Sequence, residues 1–387
     1  GHDAGMHSVT RPAHEDARQG GAVALAAQWR ALRAELLAAY EAFWPEHERV
    51  AQRTEWNLPL WELGHVAWFA ERWTLRQGDR HRGERADPSL ALPPGRCRDD
   101  FYDSSAVPHA ARWSLALPDR VATLALLEAQ LHDSLAGLRE APHEDAALYP
   151  FRLSLMHEAM HVEAARLLVR GLGLPTPTAA PWTPEGPQLQ VAARRLRLGS
   201  TEGAGFAFDN ELQGLETEVG DFTVDATVRR WRDLLPWRRS RDWHDVRLWS
   251  AAGNAWRLAQ AGAHEDDAAL DPDAPAEGLS CHEAEAWCRW AVRRLLGEAE
   301  WMAAAATPGF VWGELWEWTA EAFAPFPGFR AHPYRDYSAP WFDGAHRLLK
   351  GASRFTPALL RDTRFRNFYR PERRDLLAGL RSAAPAA

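Results

Sequence analysis

His157-Glu158-Ala159-Met160-His161-Val162-Glu163 sits inside an apolar run reaching from Leu153 to Leu168. With a helical period, His157 and His161 fall four residues apart on one face, where two imidazoles can meet one ion. An otherwise apolar face does not carry two polar rings unless they have a partner. The stretch therefore predicts a helix of a bundle, the architecture that builds metal sites from side chains of facing helices. Glu163 points well away from that face and is expected beside a ligand or in a salt bridge. The same letters also satisfy H-E-x-x-H, in which Glu158 would be the general base of a zinc hydrolase. Five residues match easily by chance and no third-ligand motif follows. Hydrolysis through His157-Glu158-x-x-His161 is the remote alternative.

A third imidazole lies upstream, in Trp56-Asn57-Leu58-Pro59-Leu60-Trp61-Glu62-Leu63-Gly64-His65-Val66-Ala67-Trp68. Its neighbours Leu63, Val66 and Ala67 are apolar, so a buried His65 needs a partner, and a metal shared with His157 and His161 would supply one. Three- and four-residue apolar spacing predicts four long helices, at about 22–43, 56–77, 119–139 and 150–172. After Gly173 the segment LPTPTAAPWTPEGPQ is too rich in proline for a helix or central strand, which sets a boundary near residue 185. Beyond it come short mixed segments and one clear helix over 281–295, the texture of an irregular α+β domain. The expected organisation is a flexible leader over 1–21, a helical bundle over 22–180 and an α+β domain over 185–387.

The 387 residues carry 45 basic and 53 acidic side chains, a net charge of −8 without a block of like charge able to grip a polyanion, so nucleic acid is not expected as a partner. No stretch approaches the ~18 uninterrupted apolar residues of a spanning helix, so no membrane is expected either. Cys97, Cys281 and Cys288 are too few and too scattered for a disulfide framework and fit reduced thiols in the cytoplasm. Twenty tryptophans point to an aromatic core, or to deep aromatic-lined pockets.

A bundle helix with L-x-x-H-x-x-W followed by H-x-x-x-H-x-E resembles the N-terminal half of the ergothioneine-type sulfoxide synthases, the family of EgtB and OvoA. The second half agrees in order: Phe206-Ala207-Phe208-Asp209-Asn210-Glu211, His282-Glu283-Ala284-Glu285-Ala286-Trp287-Cys288-Arg289-Trp290, Glu298-Ala299-Glu300-Trp301 and Gly313-Glu314-Leu315-Trp316-Glu317-Trp318-Thr319 resemble the formylglycine-generating-enzyme-like (C-type-lectin-like) domain. The closing Arg364-Phe365-Arg366-Asn367-Phe368-Tyr369-Arg370-Pro371-Glu372-Arg373-Arg374 resembles the family's substrate-binding segment. The resemblance implies a DinB-like four-helix bundle followed by that domain. It also implies a mononuclear non-haem Fe(II) enzyme that uses O2 to join a chalcogen donor to the imidazole of hercynine (trimethylhistidine).

On this resemblance His65, His157 and His161 are the metal ligands, although three imidazoles by themselves suit zinc as well as iron. The family's tyrosine, a proton or hydrogen-atom donor, matches the stretch holding Tyr334 and Tyr337, with Tyr337 ahead although the alignment is not unique. Asn367 and Phe368 match positions that hold the betaine end of hercynine, since an aromatic face suits a quaternary ammonium and an amide a carboxylate. Met160 occupies a place where relatives often carry glutamine. Formylglycine generation itself is not expected, because the paired active-site cysteines are missing.

The departures concern the donor. Relatives that use γ-glutamylcysteine hold its carboxylates with an arginine pair after the second bundle helix and an Asp and Arg near the C-terminus. Here Asp99-Asp100-Phe101-Tyr102-Asp103-Ser104-Ser105 places acids and hydroxyls there, with Arg112 nearby. Tyr369 stands at the Asp position, and Arg373 persists. This segment, with Lys350-Gly351-Ala352-Ser353 in place of R-G-G-S, resembles the SenA branch, the selenoneine synthases that use a selenosugar. A thiol donor, cysteine or γ-glutamylcysteine, giving an ergothioneine sulfoxide, is the alternative.

Overall fold

The computed structural model describes residues 11–76, 92–176, 181–260 and 267–386. The chain divides into two compact units. The first holds Gly1–Ala165 with two short returns, Gly203–Phe206 and Pro357–Leu360, and the second holds Arg166–Glu202, Ala207–Thr356 and Arg361–Ala387. The division falls inside a helix, between Ala165 and Arg166, and not in the proline-rich segment near 185. Residues 1–10 of the expected leader lie outside the described residues. The rest of it departs from expectation: α1 (Ala13–Gln19) buries Ala17 and Arg18, and Arg18 and Phe206 hydrogen-bond each other's backbones, so the segment is anchored.

In the first unit α2 (Ala22–Tyr40) buries Leu25, Trp29, Leu32, Leu36 and Tyr40, the stripe its spacing predicts. Helix α3 (Pro59–Glu71) is buried almost all round, including Trp61, Glu62, His65 and Phe69, and packs against α4 (Asp99–Tyr102) and α5 (Arg120–Glu140). It starts three residues later than the periodicity predicts. Pro59 takes the first helical position, where its missing N–H costs nothing, and forces Leu58 into extended backbone. Asp119 caps α5, accepting from the Ala122 N–H at 2.8 Å. Helix α6 (Asp145–Gly171) carries His157 and His161. Below the histidines, Arg33 of α2 meets Glu158 of α6 at 2.8 Å, both buried, and donates to Gln130 of α5 at 2.6 Å. No described helix is long and apolar enough to cross a membrane.

The second unit is mostly loops hung on short strands. One antiparallel sheet runs β1 (Gln188–Val191), β4 (Phe222–Asp225), β10 (Ser382–Ala383), β5 (Arg294–Leu295), and a separate pair joins β2 (Arg194–Leu198) to β3 (Leu215–Val219). A third sheet is ordered β8 (Asn367–Tyr369), β7 (Arg347–Gly351), β6 (Trp316–Ala322), β9 (Ala378–Gly379), with β6 and β9 parallel. Helices α7 (Trp231–Arg238), α8 (Ala251–Leu258), α9 (Cys281–Trp290) and α10 (Glu298–Ala305) surround them. Helix α9 opens on a capping box, Ser280 with Glu283. It ends five residues earlier than expected, because Val292 adopts φ 54° and Arg294–Leu295 join the sheet. Most of the tryptophans are core: Trp29, Trp61, Trp237, Trp301 and Trp318 are among the largest fully buried side chains, and Trp237, Trp243 and Trp249 pack ring to ring, whereas Trp341 is exposed. The three cysteines are buried and unbridged.

Candidate metal centre

Within the first unit α3 and α6 bring His65, His157 and His161 together, with one nitrogen of each lying within 4.8 Å of the others. His157 Nε2 stands 3.2 Å from His65 Nε2 and 3.1 Å from His161 Nε2. Two imidazole nitrogens bound at ~2.1 Å and at right angles to one ion stand ~3.0 Å apart, so the observed spacing fits a shared metal. The tautomers fit as well. His65 Nδ1 lies 2.7 Å from the Tyr102 carbonyl, which can only accept, so the proton is on Nδ1 and the Nε2 lone pair is free to bind. His161 Nδ1 faces the Glu62 carboxylate in a short contact, with the same consequence.

Burial pushes the His65 imidazole down to about 3, and the neighbouring His161 adds to the shift. Burial and the same neighbour hold His157 well below its ordinary value. Both rings are therefore neutral, the form that binds metal. Burial alone would raise Glu62, but His161, the hydrogen bond to it, His65 and Asn57 reverse this and bring its carboxyl down to about 2, so it is ionised. Asn57 Nδ2 donates to Glu62 at 2.7 Å, and Arg112 donates to Asn57 at 2.9 Å. Aromatic rings wall the site: Trp61 stacks on His65 at 4.7 Å and Phe69 on His157 at 3.6 Å. Gly64 is required beside His65, since a Cβ there would run into the Tyr102 ring.

Glu158 takes no part in the site. Its carboxylate accepts from Arg33 and from Trp29 Nε1, away from the histidine nitrogens, so the general-base role of the H-E-x-x-H reading is closed to it. The carboxylate that meets His161 Nδ1 is Glu62, which the sequence reading did not single out. Its signal was available, since Glu62 stands one helical turn before His65 and both must be buried for α3 to be buried all round.

The donor segment also differs from expectation. Asp99 accepts from Trp68 Nε1 at 2.7 Å and pairs with Arg76, Asp100 pairs with exposed Arg98, and Asp103 receives the Ser105 hydroxyl. Tyr102 is buried, and its hydroxyl has no hydrogen-bond partner among the described residues. Arg112, expected at the donor, is buried against the Trp61 ring at 3.6 Å. Met160 is half-buried on α6.

The remaining predicted residues lie in the second unit. Tyr337 stacks on Phe208 at 4.5 Å, and Tyr334 lies 5.9 Å from it. Phe368 stacks on Phe323 at 4.2 Å, with Tyr337 and Trp341 farther out at 6.0 and 6.4 Å. Asn367 Oδ1 accepts from the Phe368 N–H. Strand alternation turns Asn367 and Tyr369 to the face opposite Phe368. Arg373 pairs with Asp375 and lies over the Tyr369 ring at 5.2 Å. Sequence reading missed the anchor of the tyrosine loop: Ser338 donates to Asp209 at 2.5 Å, Asn210 donates to Ser338 at 3.0 Å, and Asp209 accepts the His332 N–H at 3.1 Å. The family motif at 206–211 contained both acceptor and donor.

Residues 178–314 match a family model described as a sulfatase-modifying factor enzyme 1-like domain. Over 84% of its length the chain is similar to proteins named hercynine oxygenase from Mycolicibacterium thermoresistibile (26% identical, 86% of that protein covered), Mycobacterium tuberculosis (29%, 90%) and Mycolicibacterium smegmatis (27%, 90%). The chain is an enzyme. The long similarities take in parts of both units, and the matched family model lies mostly in the second.

Proposed function

We propose that this enzyme is an Fe(II)- and O2-dependent oxygenase that forms a carbon–chalcogen bond at the imidazole of hercynine, with His65, His157 and His161 as ligands in a DinB-like bundle. The observation that carries this reading is the convergence of three imidazoles with two Nε2 lone pairs fixed inward, in a chain similar to hercynine oxygenases along most of its length. Three protein ligands leave open positions at which bound iron would gather and activate O2 and the donor.

The chain's own residues do the rest. The Phe368 ring, in its aromatic group with Tyr337 and Trp341, suits the trimethylammonium end of hercynine. The Asn367 amide suits its carboxylate by chemistry, and reaching it from the strand's other face would take a ligand wrapped over the strand edge. The Tyr337 hydroxyl supplies the proton or hydrogen atom, with Tyr334 as the alternative donor. Tyr369 and Arg373 flank the donor. Met160, next to His161 in the chain, is a further substrate-binding residue, at a place where relatives often carry glutamine.

For the donor we favour a selenosugar, because acids and hydroxyls replace the arginine pair at 99–105, as in the selenoneine synthases. Asp99, Asp100 and Asp103 already have local partners, so what supports this reading is the loss of the arginine pair and not a set of free acids. A thiol donor is the second reading, because the names of the relatives give hercynine and leave the donor open. Mass analysis of products from Fe(II)-loaded protein, hercynine and equal concentrations of a 1-selenosugar, γ-glutamylcysteine and cysteine decides between them. A selenium-containing adduct of hercynine as the main product is expected, and exclusive formation of a sulfur product would overturn the selenosugar reading.

A further inference from the structure

We infer that Arg112 is a positioning residue for the metal site, holding His161 through Asn57 and Glu62 and holding His65 through Trp61, and is not a clamp on the chalcogen donor. The inference rests on the three-histidine reading. Arg112 is only 8% exposed, on a short helical turn over His109–Ser114. That turn is itself pinned: His109 Nε2 meets the Trp56 carbonyl at 2.6 Å, and Trp113 Nε1 donates to the Val50 carbonyl at 2.9 Å.

Two routes leave the guanidinium. One edge donates to Asn57 Oδ1 at 2.9 Å, Asn57 Nδ2 donates to Glu62 Oε1 at 2.7 Å, and the other Glu62 oxygen takes the His161 Nδ1 proton. Its plane lies 3.6 Å from the Trp61 ring centre, and Trp61 stacks nearly parallel, at 11°, on His65. A planar, delocalised cation can stack and donate along its edge at once, which an ammonium cannot. Among the described residues Arg112 forms no ion pair and its Nε has no acceptor, so its charge rests on the Trp61 face and on a chain ending at the Glu62 carboxylate. One residue thus fixes the orientation of two imidazoles, and outer partners of this kind set metal affinity.

The test is anaerobic Co(II) titration of the full chain, followed by visible absorption, for wild type and for Arg112→Leu, Arg112→Lys and Asn57→Ala, with folding checked by circular dichroism. Co(II) affinity should fall about 10–100-fold in Arg112→Leu and Asn57→Ala, with an altered ligand-field spectrum, and less in Arg112→Lys. Asn57→Ala leaves the Arg112–Trp61 stack in place and carries the test if Arg112→Leu does not fold. Wild-type affinity and spectrum in these variants, together with a raised KM for the donor, would overturn the inference and make Arg112 a donor clamp. Failure of the wild-type chain to bind Co(II) would overturn the metal-centre reading itself, and the inference with it.

Discussion

The two units position their candidate residues by different means. In the first, three imidazoles are held by regular helices, with two ring protons fixed by a carbonyl and a carboxylate and with stacked rings behind them. In the second, Tyr334 and Tyr337 sit on a loop tied down at Ser338 and His332, while Asn367 and Phe368 lie on a three-residue edge strand. Helices fix a site to the precision a metal demands, whereas loops tolerate variation. Mutations in the first unit should act on metal binding, and those in the second on turnover with metal binding intact.

The largest effect tests that contrast directly. His157→Ala should abolish stoichiometric Fe(II) binding and lower activity by more than ~100-fold, exceeding what outer partners cost. A variant that binds one iron normally breaks the ligand assignment. Tyr337→Phe should lower kcat about 100-fold or more while Fe(II) affinity stays at the wild-type value. A larger loss in Tyr334→Phe than in Tyr337→Phe would move the proton donor to Tyr334.

Smaller effects separate support from chemistry. Glu158→Gln removes one side of a buried ion pair and should cost about 3 kcal/mol in denaturant unfolding. A zinc hydrolase would instead show wild-type stability and a catalytic loss confined to hydrolysis. The metal-free protein should also lose stability in acid. The unfolded His65 titrates near 6.5 and the folded one at about 3, so the unfolded chain binds the extra proton first and stability falls as pH drops from 6.5 toward 3. At pH 5 this one group accounts for about 2 kcal/mol. An unfolding free energy that stays flat from pH 7 to pH 5 would contradict a buried, neutral His65.

Much of the first unit was legible because helices write a period into sequence. The spacing of His157 and His161, and the apolar neighbours of His65, pointed to one face and one partner. What periodicity could not give was the rotation of α6, which sends Glu158 to Arg33 while the histidines face α3, or the role of Glu62, whose contact to His161 spans distant parts of the chain. The second unit was legible only through its motifs. Its strands are two to seven residues long and pair across long separations, as Val224 does with Ala383, so no local pattern announces them. The partners of the tyrosine loop, Asp209 and Ser338, are likewise far apart in sequence, and folding alone brings them together.

The most direct test of the central claim is oxygen consumption by the Fe(II)-loaded protein with hercynine and a chalcogen donor. Uptake is predicted only when iron, hercynine and donor are all present, and should vanish in His157→Ala. Uptake indifferent to hercynine, or none with any selenium or sulfur donor, would contradict the account.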